Sequence, residues 1–192
     1  GVGGRSTHVA REPDIPYHNS WGVGAGLQAN FRLSDAFAIT IEPRADLYDK
    51  DFAPFVSSNK HFDLMPSLLV GMTYHYAKRL SAKGVGNDTY APYSTIGGAF
   101  GVSNHLRTLN SAVKYMPAFR LGYTHWFGAN GWRASMGGMI SRKKAGYRWT
   151  KATLGADWLA DLTAHSYGYD PDRLLSVVLQ AGANARVDNP PQ

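Results

Sequence analysis

The sequence predicts an all-β protein, an antiparallel up-and-down barrel of about eight strands, and three observations predict it. Residues of opposite character alternate for ten positions or more at a time, turn signals punctuate these runs, and the composition is rich in glycine and aromatics (Gly 21, Tyr 11, Phe 8, Trp 5). From Phe37 to Tyr48 one face reads Phe37, Ile39, Ile41, Pro43, Ala45 and Leu47, and the other Ala38, Thr40, Glu42, Arg44, Asp46 and Tyr48. Successive side chains on a strand point to opposite faces, so this run has an apolar wall and a wall bearing three charges.

The elements follow in order. A first strand over about 21–33 sets Trp21, Val23, Leu27 and Phe31 against Gly22, Gly24, Gly26 and Arg32. Ser34-Asp35-Ala36 is a tight turn into the second strand, 37–48. After a loop at 50–60, the run 62–76 aligns Phe62, Leu64, Leu68, Val70, Met72 and Tyr74 against Asp63, Met65, Ser67, Thr73 and His75. The longest connection ends at a weaker fourth strand, 93–104, and a fifth covers 113–127. Gly128-Ala129-Asn130-Gly131 signals a hairpin into a sixth strand at 132–141. The seventh runs 149–164, Asp170-Pro171-Asp172 turns the chain, and the eighth runs 174–187. Pro43, Pro66 and Pro117 fall mid-strand on the apolar face, where each removes a ladder donor; the sequence offers no account of this.

At 192 residues the chain reads as a single domain, 1–192. No run approaches 18 apolar residues, which excludes a membrane helix but not a membrane barrel, whose strands hide their apolar half behind every second position. Cysteine is absent, so disulfides and thiolate metal sites are excluded. The formal charge of +6 is scattered rather than clustered, against a nucleic-acid partner.

Alternation alone does not say whether the apolar face meets lipid or a protein interior, because a soluble barrel alternates too. Three features favour lipid. The strands run near 12 residues, twice the soluble norm of about five or six. Aromatics gather beside the turns, as a membrane-interface girdle does: Phe31 and Phe37, Phe127 and Trp132, Tyr74 and Tyr76. The polar face mixes Gly, Ala and Ser among its charges, as a narrow barrel interior requires.

The run Gly24-Ala25-Gly26-Leu27-Gln28-Ala29-Asn30-Phe31-Arg32-Leu33, followed after a short turn by Ile41-Glu42-Pro43-Arg44, resembles outer-membrane β-barrel proteins of the Bacteroidota. So do Leu154-Gly155-Ala156-Asp157 and Tyr169-Asp170-Pro171-Asp172-Arg173, the likeness spanning about 21–187 as a strand grammar. It implies an integral barrel of a Gram-negative outer membrane, in contact with its lipid including lipopolysaccharide, with short periplasmic turns and no particular activity. One departure follows. With the short turns periplasmic, Trp21 starts and Val187 ends on the exterior side, whereas a self-contained eight-stranded barrel has both ends in the periplasm. Either the chain is part of a larger barrel, as its strand-end-like opening Gly1-Val2-Gly3-Gly4-Arg5 also suggests for a processed or excerpted chain, or eight strands close alone with the opposite sidedness.

The lumen-facing charges are the candidate functional residues: Arg32, Glu42, Arg44, Asp46, Asp63, Lys114, Arg120, Arg133, Lys151, Asp157, Asp161 and Arg186. Their mixed signs predict a network of ion pairs filling the barrel. Other groupings are thinner. His125 near Ser135 and Ser141 is the one suggestive nucleophile–base set, but parity turns His125 to the lipid side near a turn, as an interfacial residue. His75 beside Thr73 reads as a lumen filler, and Gly22, Gly24 and Gly26 lack the strand-then-helix setting of a phosphate loop. His8, His18, Glu12 and Asp14 lack a rigid frame for a metal, and Asp170-Pro171-Asp172 reads as a turn rather than a calcium site. The expectation is a non-catalytic barrel without cofactor, structural or accessory to other outer-membrane proteins; a solute pore and a membrane-embedded hydrolase are the alternatives.

Overall fold

In the computed structural model, eight antiparallel strands close into a barrel in which every strand pairs with its sequence neighbours and the last with the first. The residues described are 18–49, 62–75, 92–104, 115–140, 150–168, 170 and 173–189. The strands are β1 His18–Arg32, β2 Phe37–Tyr48, β3 Asp63–His75, β4 Tyr93–Ser103, β5 Met116–Phe127, β6 Asn130–Ile140, β7 Thr150–Asp161 and β8 Leu175–Asn189. Closure is continuous: β1 pairs with β8 from His18↔Asp188 to Phe31↔Leu175. The sheet therefore needs no further strands, which removes the larger-barrel alternative in favour of eight strands closing alone.

The direction of the two faces is the central architectural fact. Even positions of β2 are all buried and odd positions all exposed, a strict alternation over twelve residues. Apolar side chains point out around the whole barrel: Trp21 is 68% exposed, Phe100 72%, Leu154 62% and Val70 50%. Charged side chains point in, with Arg44, Asp157 and Arg186 all buried. A soluble barrel folds the other way round, burying its apolar face.

The β5–β6 hairpin is tight because Phe127 and Asn130 pair across two turn residues, Gly128 and Ala129. Gly128 adopts φ 76°, a left-handed conformation that a side chain disfavours, so glycine is needed there. The three prolines now have a reason. The β1–β2 ladder skips Glu42 and Pro43, passing from Gly26↔Arg44 to Ala29↔Ile41. Pro66 lies just beyond the β3–β4 ladder, which starts at Ser67↔Ser103, and Pro117 just beyond the β5–β6 ladder, which starts at Ala118↔Met139. Each ring sits where one neighbouring strand asks for no donor.

One correction concerns the seventh strand. It stops at Asp161, and Leu162–Tyr167 form a short helix, α1, that the alternation pattern read as strand to 164. Asp161, expected among the lumen charges, caps this helix: its carboxylate accepts from the Ala164 amide at 2.9 Å, and Gly168 at φ 76° ends it. Asp161→Ala is expected to cost about 1 kcal/mol and to speed hydrogen exchange at Ala164, while Asp161→Asn, also a good cap, leaves both nearly unchanged.

The β1–β2 and β5–β6 turns and α1 lie at one end of the barrel, the turn end; the start of β1 and the end of β8 lie at the other, the terminal end. Aromatics of the outer wall collar the turn end, where ring centroids of Phe37 and Tyr74 are 5.2 Å apart, Tyr123 and Trp132 5.7 Å, and Phe127 and Trp158 5.3 Å. Phe31 also lies there, paired with Ile39 and Leu175; Tyr76 lies outside the described residues.

Candidate functional site: the lumen

The lumen is filled in three layers. Toward the turn end sit Tyr93, Trp126, Leu159 and Val178, with the Tyr93 and Trp126 rings stacked at 6.0 Å. Toward the terminal end sit Tyr48, Met65 and Met116, with Met139 packed on them. Between them runs a charged belt.

The belt is neutral: guanidiniums of Arg44, Arg120 and Arg133 meet carboxylates of Glu42, Asp46 and Asp157. Arg44 donates from Nε to Asp46 at 2.7 Å and from Nη1 to Asp157 at 2.8 Å. Asp157 uses its second oxygen for Arg133, whose Nη2 lies 2.9 Å away. Arg133 continues to Glu42 at 3.1 Å, and Glu42 also accepts from Arg120. Amides complete the belt: Asn184 donates to Asp46 at 2.7 Å, Gln28 accepts from Arg133 at 3.1 Å, and Gln180 also accepts from Arg133.

Register explains the convergence. Arg133 and Asp157 are direct cross-strand partners on β6 and β7, whereas Arg44, which also holds Asp46, reaches Asp157 across the lumen from β2. The room for them comes from glycine. Gly24 pairs with Asp46 on one side and Gly182 on the other, and a Cβ on Gly24 would collide with the Asp46 carboxylate. A Cβ on Gly182 would likewise strike Asp157 and the Ala156 carbonyl. The lumen glycines are therefore the space the belt occupies.

A second, smaller charge group lies toward the terminal end. Arg186 donates from Nη1 to Asp63 at 2.9 Å and lies 4.3 Å from the centroid of the Tyr48 ring. Lys151 is buried at 3% exposure, on the inward face of β7. Arg32 lies at the turn-end mouth, where it pairs with the exposed Asp35 and donates to the Ser34 carbonyl at 3.3 Å. Lys114 falls outside the described residues.

Beyond the belt, toward the turn end, a cavity of about 80 Å³ opens. Its floor carries Glu42, Arg120 and Arg133, and its walls include Thr40, Thr73, Thr95 and Thr124, with Tyr93, Trp126 and Val178 nearer the mouth. His75, expected to fill the lumen, lines this cavity too. Sequence reading missed the cavity because it is made by absence: Gly97 and Gly122, which pair directly on β4 and β5, leave that level of the wall without side chains.

The His125–Ser135 grouping does not form. Ser135 and Gly122 are partners, and Ser135 points into the lumen with Arg133 and Gly137, while His125 points outward with Tyr123 and Phe127. His125 instead takes Ser94 as partner, Nδ1 to Oγ at 3.0 Å, and Ser94 also meets the Tyr123 hydroxyl at 2.9 Å. Two polar side chains on an apolar wall thus satisfy each other beside Trp132, whose ring centroid lies 6.2 Å from that of His125. Ser141 lies outside the described residues, as do His8, Glu12, Asp14 and the side chain of His18. Among the described residues no three His, Cys, Asp or Glu gather as a metal site.

Compared with family models, with curated proteins and with solved structures, the chain matches none.

Proposed function

We propose that this chain is an integral barrel of a Gram-negative outer membrane, of the Bacteroidota kind, with a non-catalytic structural or accessory role beside other outer-membrane proteins. The observation that carries the reading is the inverted polarity: apolar side chains outside, a paired charge network inside. Strands of 11 to 15 residues, at about 3.4 Å per residue and a tilt near 45°, give a wall roughly 25–35 Å tall. That height suits the hydrocarbon core of a bilayer, and the collar of rings at the turn end suits an interface. The outer wall then meets lipid, lipopolysaccharide included.

The transport-pore alternative is opposed by the layer of Tyr48, Met65 and Met116, each 1% exposed, which blocks the lumen beside the belt. Planar-bilayer recording tests this. The reconstituted chain is expected to pass no current above the bilayer background, and discrete conductance steps would favour the pore instead.

A further inference from the structure

We propose that the turn-end cavity binds a short-chain carboxylate, with Arg120 as its anchor. The cavity is polar at its floor, carries an apolar patch of Tyr93, Trp126 and Val178 on its wall, and has a charged rim that includes Arg32, Asp35, Asp161 and Arg173; the floor and the patch bear on the ligand. At the floor, Arg120 makes one hydrogen bond among the described residues, to Glu42. Glu42 is not Arg120's alone, since Arg133 donates to both its oxygens at 3.1 and 3.3 Å. The remaining N–H groups of Arg120 are thus left for the cavity, which its side chain lines at 16% exposure. A guanidinium with a free edge matches a carboxylate geometrically, through parallel N–H donors.

Threonine hydroxyls on four successive strands, Thr40, Thr73, Thr95 and Thr124, stand around this floor and can donate to the same oxygens. Between this floor and the charged rim, one side of the wall is the patch of Tyr93, Trp126 and Val178. A sulfate or phosphate is polar all round and would turn oxygens toward these rings. A carboxylate with a short alkyl tail places oxygens at Arg120 and methylenes against Trp126. The volume of about 80 Å³ holds on the order of five waters, so the tail is a few carbons long.

The site does not depend on what the outer wall touches. It is tested on the purified barrel in a non-ionic detergent, at fixed ionic strength, by ligand-observed saturation-transfer NMR with sodium butyrate, sodium sulfate and butylammonium chloride. Butyrate is expected to bind saturably, sulfate at least about tenfold more weakly, and butylammonium not at all. Arg120→Gln is expected to weaken butyrate at least about tenfold, the scale of a lost charge-assisted hydrogen bond. That variant leaves Glu42 paired with Arg133, and its folding is checked by gel mobility with and without heating. Gly97→Val, which fills the cavity without removing a charge, should weaken butyrate similarly; its Cβ meets only the Thr73 hydroxyl closely, at 3.1 Å. In the wild type, a nuclear Overhauser contact from the butyrate methyl to the Trp126 ring is expected. No saturable butyrate binding, binding undiminished in folded Arg120→Gln, sulfate as tight as butyrate, or no Trp126 contact would each overturn the proposal.

Discussion

Arg44→Ala is expected to lower the temperature at which the folded barrel converts to its slower, heat-denatured gel form, by the equivalent of about 3–5 kcal/mol. The Arg44 side chain is fully enclosed and bonds two carboxylates, at 2.7 and 2.8 Å. Its removal leaves Asp46 with Asn184 alone, and Asp157 with Arg133, inside a wall that admits little water. A desolvated carboxylate without a cation is among the costlier defects a fold can carry. Asp35→Ala supplies the contrast: its carboxylate is 89% exposed, so losing its pair with Arg32 should cost less than about 1 kcal/mol. Equal, small shifts in both variants would mean that Arg44 is not enclosed.

Val70→Arg is expected to destabilise the barrel in lipid vesicles by about 2–4 kcal/mol, and Leu33→Arg by no more than about 1 kcal/mol. Val70 lies at mid-wall, pairing with Ile41 on one side and Phe100 on the other, and points outward. Leu33, 60% exposed, lies at the β1–β2 turn where a guanidinium can reach water and headgroups. Denaturant unfolding from vesicles of both variants measures the difference. Depth dependence is the signature of hydrocarbon; a water-facing wall would accept either arginine within about 0.5 kcal/mol.

Much of this was legible because one number, the two-residue period, governs both strand and face. Phe37–Tyr48 could be bounded from the sequence, and the inward set Glu42, Arg44 and Asp46 followed from parity alone. What parity does not supply is who meets whom. The contact of Arg44 with Asp157 joins residues 113 apart and depends on the stagger of the four strands between β2 and β7, which no local pattern encodes. Parity turns His125 outward, away from Ser135, but does not supply its partner, Ser94 on the strand at the other side. Helix α1 was hidden for another reason. Six residues are too few for a helical period to show, and Leu162 and Ala164 continue the strand alternation. The signal was in the caps, Asp161 and Gly168, rather than in the run between them. Asp161 lines the turn-end cavity, as parity indicates, and its carboxylate also caps α1, which parity does not show.

The glycines carried information of a different kind. Gly24 and Gly182 read as small lumen residues, but their role is negative space for a charged pair on the neighbouring strand. The prolines were similar: Pro43 looked like a defect until the β1–β2 ladder proved to skip that position.

The proposed membrane role stands on lipid being what the outward apolar wall touches. Its most direct test is the folding of the purified chain with and without a lipid or detergent phase, followed by far-UV circular dichroism, heat-modifiable gel mobility and sedimentation. A compact, heat-modifiable β-barrel is expected only when vesicles or micelles are present, with aggregation on their removal. A folded, monomeric barrel that persists in plain buffer would contradict it.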